Sequence, residues 1–136
     1  MIIVDTNVLL DVVLNDPQWS TWSIAALEAA NAQDTLAINP VIYAEVSLAF
    51  ARIEELEQVL SEAGLTMAPI PREALFLAGK VFLQYRKRQG PKTNVLPDFF
   101  VGAHAAVAEF PILTRDVGRY RSYFPTVRLL TPDQSP

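Results

Sequence analysis

Short, uniformly apolar blocks recur along the chain, and longer stretches between them place apolar residues every three or four positions. The first block, Met1 to Val4, ends at Asp5. A short aliphatic run without alternation is typical of a strand buried on both faces of a parallel sheet. Later segments predict three more strands and one connector or short edge strand: residues 35–38, 111–114 and 127–130, and residues 65–71.

The longer stretches predict helices. Their ranges are 6–15, 18–31, 40–51, 53–63, 71–89, a helix that begins at Asp98, and 116–123. Asn39 and Pro40 supply an N-cap and a first-turn proline for the third helix, and Gly64 ends the fourth. Alternating strands and helices predict an α/β fold, a three-layer sandwich around a central parallel, Rossmann-like sheet. We expect residues 1–136 to form one domain, with a frayed tail at 131–136.

The composition narrows the class of protein. Hydrophobic residues make up 51% of the chain, which suggests that another chain covers some apolar surface, and we expect a homodimer. The absence of cysteine excludes disulfides and thiolate metal sites. The sequence has neither a signal-peptide pattern nor the roughly 18 apolar residues of a membrane span, so we expect a cytoplasmic protein without membrane contact.

The net charge of −4 hides a division between the two halves of the chain. Residues 1–71 contain ten acidic residues and one basic residue, whereas residues 72–136 contain ten basic and five acidic residues. A local basic surface attracts polyanions whatever the total charge of the protein. The second half is therefore a candidate nucleic-acid-binding region.

Four acidic residues stand at positions suited to chemistry. Asp5 and Asp116 follow predicted strands, and open parallel sheets bind ligands beyond the carboxyl ends of their strands. Glu45 falls inside the apolar arc of its helix, where a charge must be paired, protonated, bound to a cation or facing a wet pocket. Asp98 begins a predicted buried helix. Each of these acids could instead have a structural role. Asp98 and Asp116 could cap helices, and Glu45 could form a hydrogen bond with a neighbouring backbone group. If the four acids meet, they predict a Mg²⁺ or Mn²⁺ site.

The segments that carry these acids resemble the PIN-domain nucleases, in particular the VapC-type toxins of bacterial toxin–antitoxin pairs. The segments are Asp5-Thr6-Asn7, Asn39-Pro-Val-Ile-Tyr-Ala-Glu45, Pro97-Asp98-Phe-Phe-Val-Gly-Ala-His-Ala-Ala and Leu113-Thr114-Arg115-Asp116. They occur in the family's order and span nearly the whole chain. The resemblance is therefore more specific than any one of the segments.

The resemblance implies a PIN-like fold and a metal-dependent endoribonuclease that cleaves single-stranded or loop RNA with Mg²⁺ or Mn²⁺, as the toxin of a type II toxin–antitoxin pair. It implies that the catalytic, metal-binding acids are Asp5, Glu45, Asp98 and Asp116. By the same resemblance, Asn7 and Thr114 orient ligands or waters, and no histidine base is needed. Some relatives have a further acid three residues after the last one, where this chain has Arg119. One or two metal ions therefore remain possible.

Basic residues near these segments are candidates for RNA contact. They are Arg86, Lys87, Arg88, Lys92, Arg115 and Arg119. The resemblance also implies a cognate antitoxin that covers the groove, presses a basic side chain against the acids and supplies DNA binding, so that this chain would meet DNA only indirectly. The acidic first half and the stripe of Trp19 and Trp22 are candidate surfaces for a dimer or an antitoxin.

Three other interpretations stay open. A phosphoacceptor receiver domain also gathers acids around Mg²⁺, although it needs paired acids after the first strand. A catalytically silent module of the same fold could bind RNA or protein, and a housekeeping nuclease would act without an antitoxin. The single histidine, His104, is predicted to be an interior or pocket-edge residue, because oxygen ligands suit Mg²⁺. Asp11 and Asp16 are predicted to be solvated.

Overall fold

A computed structural model of the chain describes residues 1–88 and 95–132, which form a parallel five-stranded sheet flanked by seven helices. The strands are β1 (Ile2–Val4), β2 (Leu36–Ile38), β3 (Leu65–Met67), β4 (Ile112–Leu113) and β5 (Leu129–Leu130). The helices are α1 (Thr6–Val13), α2 (Ser20–Gln33), α3 (Pro40–Ser47), α4 (Ile53–Glu62), α5 (Arg72–Lys87), α6 (Leu96–Ala108) and α7 (Gly118–Tyr123). The predicted α/β sandwich with a central parallel sheet is confirmed. Within the described ranges, no helix has the length and apolar character needed to cross a lipid bilayer.

The order of the strands decides where a ligand can bind. The sheet runs β3-β2-β1-β4-β5, and every neighbouring pair is parallel. The chain therefore adds β2 and β3 on one side of β1, and then β4 and β5 on the other side. In doubly wound sheets this reversal opens a crevice beyond the carboxyl ends of the two strands that flank it, here β1 and β4. The order differs from the 2-1-3-4-5 order of the receiver fold, so the receiver interpretation is wrong.

The facing ends of the first two helices differ from the prediction, and one side chain accounts for the later start of α2. α1 ends at Val13 rather than at residue 15, and α2 begins at Ser20 rather than at residue 18. Between them, the Asp16 carboxylate accepts hydrogen bonds from the backbone N–H groups of Gln18 and Trp19, both at 2.9 Å. Such bonds hold a turn and compete with helix formation. Asp16 remains partly exposed while it accepts these bonds, so its predicted solvation is not contradicted.

Other predicted boundaries have mixed outcomes. The segment at 65–71 contains β3, which lies at the edge of the sheet as predicted, and Gly64 follows α4 with a left-handed φ of 71°. α3 ends at Ser47, four residues before its predicted end, and β4 is shorter than the predicted strand. The predicted end of the fifth helix at residue 89, most of the loop at 90–97 and positions 133–136 of the predicted tail lie outside the described residues.

An aromatic cluster joins α5, α6 and α7 beneath the crevice. Phe99, on α6, is fully buried, and its ring centroid lies 5.5 Å from that of Tyr85 and 5.3 Å from that of Tyr123. Gly102 permits the closest approach, because a Cβ at this position would lie 2.3 Å from a ring carbon of Phe124. The packing therefore fixes the orientation of α6 and α7, which both face the crevice with charged residues.

Candidate active site

Asp5 lies at the carboxyl end of β1, where the buried strand gives way to α1. Its backbone is extended (φ −71°, ψ 154°), it is the N-cap of α1, and one carboxylate oxygen, Oδ1, accepts the Thr6 N–H at 2.9 Å. Only 5% of the residue is exposed. The strand therefore delivers a carboxylate to the crevice in a largely water-excluded position, as the sequence pattern predicted.

Three side chains converge on the other oxygen of Asp5. Oδ2 accepts hydrogen bonds from the Thr114 hydroxyl at 2.9 Å, from the Tyr120 hydroxyl at 2.9 Å, and from the Asn7 amide at 3.3 Å. Asn7 also donates to Thr114 Oγ1 at 3.1 Å and accepts the Arg115 N–H at 3.2 Å. These bonds fix the carboxylate plane and leave Oδ1 with the Thr6 backbone donor among the described residues. Asn7 and Thr114 thus contact the carboxylate that they were predicted to support.

The environment of Asp5 opposes its ionisation. Burial raises the pKa of Asp5 from 3.8 to about 6, although the hydrogen bonds from Thr114 and Tyr120 work in the opposite direction. The charge of Asp98 contributes to this rise. Burial and the nearby charges of Asp5 and Asp98 also hold the pKa of the Tyr120 hydroxyl well above its usual value, so that it stays a proton donor. A site that gathers carboxylates in this way is stabilised by any cation that enters it.

Asp98 reaches the site from the first turn of α6. The helix begins at Leu96, so Asp98 is its third residue and not its N-cap. The capping alternative, and the expectation that the helix starts at Asp98, were wrong. Its carboxylate accepts a hydrogen bond from the Arg119 guanidinium. Burial raises the pKa of Asp98, the Arg119 bond lowers it in part, and the charge of Asp116 raises it again.

Asp116 lies on the exposed loop between β4 and α7. It was predicted to begin the last helix, but α7 begins two residues later, at Gly118. The backbone N–H of Asp116 donates a hydrogen bond to the Thr114 hydroxyl oxygen at 3.1 Å, which holds the loop against the crevice. The charge of Asp116 acts on both Asp98 and Tyr120. The carboxylates of Asp5, Asp98 and Asp116 therefore form one electrostatically connected group.

Glu45 joins this group through a neighbouring hydroxyl. It lies half-buried on α3, whose first turn is capped by the Asn39 side chain accepting the Ile42 N–H at 3.0 Å. The Thr6 hydroxyl donates to Glu45 Oε1 at 2.7 Å, and the backbone of the same Thr6 donates to Asp5. Across residues 1–88 and 95–132, however, no three His, Cys, Asp or Glu side chains are arranged to hold a single ion. Thr6 therefore connects Glu45 to Asp5, and the predicted acids do not form a closed metal cage within the described residues.

One further acid, Asp11, differs from its predicted surroundings. Asp11 was predicted to be solvated, but it is 3% exposed and forms a two-bond pair with Arg115, at 2.8 and 2.9 Å. Burial raises the pKa of Asp11, but the bonds from Arg115 and from the Ser23 hydroxyl outweigh that effect and lower it. Arg115 also lies over the ring of Trp19 at 5.2 Å. Its guanidinium is therefore paired with Asp11 and remains 29% exposed, and the prediction that it contacts RNA stays a prediction.

The remaining residues predicted to contact RNA include the basic end of α5. Arg86, Lys87 and Arg88 are exposed at the end of α5, and the Arg88 guanidinium lies 6.0 Å from the Tyr123 ring centre. Lys92 lies outside the described residues. An open hollow of about 440 Å³ lies between Asp116 and Tyr85 of α5. It is lined by Tyr85, Asp116, Gly118, Arg119, Ser122 and Tyr123.

His104 is an interior residue, as predicted. It is 1% exposed on α6, and its Nδ1 lies 3.2 Å from the Asn39 amide nitrogen. Since that amide nitrogen can only donate, the contact makes Nδ1 the acceptor and puts the ring proton on Nε2. Burial lowers the pKa of His104. The imidazole therefore supports the cap of α3 in its neutral form.

Tyr120 is the main site residue that the sequence did not reveal. It is 2% exposed, and its hydroxyl contacts Asp5 across a sequence separation of 115 residues. The available signal was a tyrosine in a short helix directly after the Thr114 to Asp116 segment. That signal does not say which face of the helix points inward.

Known proteins share the sequence pattern and the fold of this chain. The PIN-domain family model matches residues 2–123 of the chain. No curated protein sequence gives a significant match. Among solved structures, one match is a chain of VapBC2 from Rickettsia felis, a structure in which VapBC2 is bound to a fragment of its promoter DNA. The two chains superpose with a TM-score of 0.74 at 19% identity, and the match covers 98% of this chain and 100% of that one.

Two further structures have the same fold. A chain of a toxin–antitoxin complex from Klebsiella pneumoniae gives a TM-score of 0.69 at 20% identity, covering 99% of this chain and 100% of that one. A chain of FitAcB from Neisseria gonorrhoeae gives 0.67 at 19% identity, with coverages of 99% and 100%. At these identities the likeness is one of fold.

Proposed function

Because this chain belongs to the PIN-domain family, we propose that it is a metal-dependent endoribonuclease that cleaves single-stranded or loop RNA and acts as the toxin of a type II toxin–antitoxin pair. The observation that carries the proposal is the environment of Asp5. A carboxylate that is 5% exposed, held by Tyr120 and Thr114 and raised in pKa to about 6, lies at the crevice of the sheet with further acids around it. Such an arrangement costs stability unless a cation compensates the charge.

The donor chemistry fits a hydrated Mg²⁺ or Mn²⁺ ion. Mg²⁺ keeps several of its waters and is commonly bound through one or two carboxylates, so an open set of acids suits it better than a closed cage does. Asp5 and Asp98 would bind the ion directly or through its waters, with Glu45 and Asp116 completing the set. When bound, the ion would polarise the phosphoryl oxygen and lower the pKa of a water.

The protein's own residues would supply orientation. Three bonds to Asp5 Oδ2 keep its carboxylate in one plane, with Oδ1 directed away from Tyr120 and Thr114. Pre-oriented ligands of this kind are what second-sphere residues contribute to a metal site. The neutral His104 lies beneath α3 and would take no part in proton transfer.

The substrate proposal rests on charge and on the hollow beside the acids. Arg86, Lys87, Arg88, Lys92 and Arg119 belong to the basic half of the chain. Arg88 and Arg119 border the aromatic rings of Tyr123 and Tyr85. These rings are only partly exposed, and positive charge next to accessible ring edges is a combination that binds single-stranded nucleic acid, because phosphates meet cations and bases stack.

The partner proposal rests on the fold relatives. The Rickettsia felis and Klebsiella pneumoniae structures are toxin–antitoxin complexes, one of them on promoter DNA. By analogy, this chain would act in the cytoplasm as a homodimer, be covered by a cognate antitoxin, and contact DNA only through it. Expression should arrest growth, and co-expression of a small DNA-binding protein encoded beside it should relieve the arrest.

The direct test is cleavage of RNA by the purified protein with Mn²⁺. The wild type should cleave, and Asp5→Asn and Asp98→Asn should not, with circular dichroism showing an intact fold. Cleavage retained by both variants would reject the site. If the wild type neither binds millimolar Mn²⁺ in calorimetry nor cleaves RNA, a catalytically silent binding module of the same fold is the better description. If the protein cleaves RNA but no small gene for a DNA-binding protein lies beside its own gene, a housekeeping nuclease is the better description.

A further inference from the structure

Arg119 is placed over the acidic site by the helix that also positions Tyr120. Consecutive residues of a helix point about 100° apart. On α7, Tyr120 reaches Asp5 from a position that is 2% exposed, and Arg119 donates from Nη1 to Asp98 Oδ2. Because burial of Tyr120 anchors α7, the location of Arg119 follows from core packing. It is not an incidental surface contact.

The ion pair of Arg119 has fewer hydrogen bonds, and a more exposed carboxylate, than the ion pair of Arg115. Arg115 grips Asp11 with two parallel hydrogen bonds, and Asp11 is 3% exposed. Arg119 contacts Asp98 through one nitrogen, and the two side chains are 29% and 32% exposed. Partly exposed pairs with a single contact contribute little to stability, whereas buried bidentate pairs are strong. The Arg119 side chain can therefore leave Asp98 at low cost.

The partner of Arg119 is also the carboxylate that a metal ion needs. Asp98 interacts with the charges of both Asp5 and Asp116. In the metal-free protein, the guanidinium of Arg119 neutralises the middle member of this group. A divalent ion that uses Asp98 must share its oxygens with Arg119 or displace the guanidinium, and the two cations repel each other.

We propose that Arg119 is the resident cation of the acidic site: it neutralises Asp98 in the metal-free protein, yields that carboxylate to the divalent ion, and then binds a phosphate of the RNA. This inference rests on the proposed function and assigns Arg119 a role at the same site. A guanidinium suits it, since its planar fork matches both carboxylate and phosphate. The side chain already lines the hollow beside Tyr85 and Tyr123, through which the RNA would approach. Displacement therefore needs only rotation of one side chain.

The test uses two variants of Arg119 and one control on the same helix. Arg119→Gln removes the competing charge, so calorimetry should show Mn²⁺ binding about threefold to tenfold more tightly than in the wild type. Cleavage of a fluorogenic oligoribonucleotide at saturating Mn²⁺ should nevertheless fall by about tenfold or more, because the phosphate loses its guanidinium. Arg119→Lys keeps the charge without the fork. It should bind Mn²⁺ like the wild type and recover only part of the cleavage.

The opposite signs of the two effects distinguish this role from a structural one. A variant that merely disturbs the fold would bind Mn²⁺ more weakly and melt at a lower temperature. Arg121→Gln, two residues along α7, should change Mn²⁺ affinity by less than about twofold. If the wild type binds Mn²⁺ and cleaves RNA but Arg119→Gln binds the ion no more tightly, the inference fails and the proposed function stands. If the wild type binds no Mn²⁺, both fail.

Discussion

Replacing Asp5 with asparagine should make the metal-free protein more stable while it abolishes RNA cleavage. The folded protein holds the pKa of Asp5 at about 6, against 3.8 for the ordinary side chain, because burial disfavours the charge. A raised pKa means that the folded state binds the proton more tightly than the unfolded state does. The contribution of this group to stability is therefore fully present below pH 3.8 and is lost as the pH rises through about 6.

The size of the effect follows from the shift. At about 1.4 kcal/mol per pKa unit, a shift of roughly two units costs the folded protein about 3 kcal/mol at pH 7.5. Asparagine removes the charge, but its amide cannot accept at both positions, so one of the bonds from Thr6, Thr114, Tyr120 or Asn7 is lost at a cost of about 1 kcal/mol. The variant should be more stable than the wild type by about 1 to 2 kcal/mol, or roughly 3 to 8 °C in Tm.

Urea denaturation in EDTA between pH 4 and pH 8 measures this difference. The advantage of Asp5→Asn should be largest at pH 7.5 and should shrink toward pH 4, where the wild-type carboxyl is protonated. Asp116→Asn is the matched control: it removes a carboxylate from the same site, but from an exposed loop, and should change the free energy of unfolding by less than about 0.5 kcal/mol. A less stable Asp5→Asn protein, with a deficit that does not vary with pH, would refute the reasoning.

Other perturbations have equally definite outcomes. Gly102→Ala should lower the free energy of unfolding by about 2 kcal/mol, because its Cβ would meet the Phe124 ring at 2.3 Å; an unchanged urea midpoint would contradict this packing. Asp11→Asn should cost about 2 kcal/mol at pH 7 by weakening the Arg115 pair. Since the pKa of Asp11 is lowered, this contribution is present above about pH 4 and fades below it, so an equal cost at pH 3 would count against the pair. Millimolar Mn²⁺ should raise the Tm of the wild type more than that of Asp98→Asn; equal shifts would remove Asp98 from the ligand set.

Most of the fold could be predicted from local signals. Apolar blocks mark the buried strands, and Asn39 with Pro40 and the left-handed Gly64 mark a helix start and a helix end. These signals act over a few residues, so the sequence displays them directly. The errors lie where a side chain overrides the local pattern, as when Asp16 holds a turn against the start of α2.

The site was predictable only in part, because its bonds join distant positions. The end of β1 identified Asp5 as a crevice residue, and the strand order then places Thr114 beside it. The Tyr120 hydroxyl could not be foreseen, since its direction depends on how Phe99 and Phe124 orient α7. For Asp11, one face of α1 looked solvated until α2 and the Arg115 loop covered it.

Arg115 and Arg119 show why the charge of a segment does not predict its surface. They lie four residues apart in the same basic region, and the sequence assigned both to RNA. Arg115 donates two hydrogen bonds to the buried Asp11. This ion pair connects α1 to the loop that carries Thr114 and Asp116. Arg119 instead remains at the edge of the hollow. Arg119, together with Arg86, Lys87 and Arg88 at the end of α5, therefore supplies positive charge on this side of the acids, and under the proposed function RNA should approach from there.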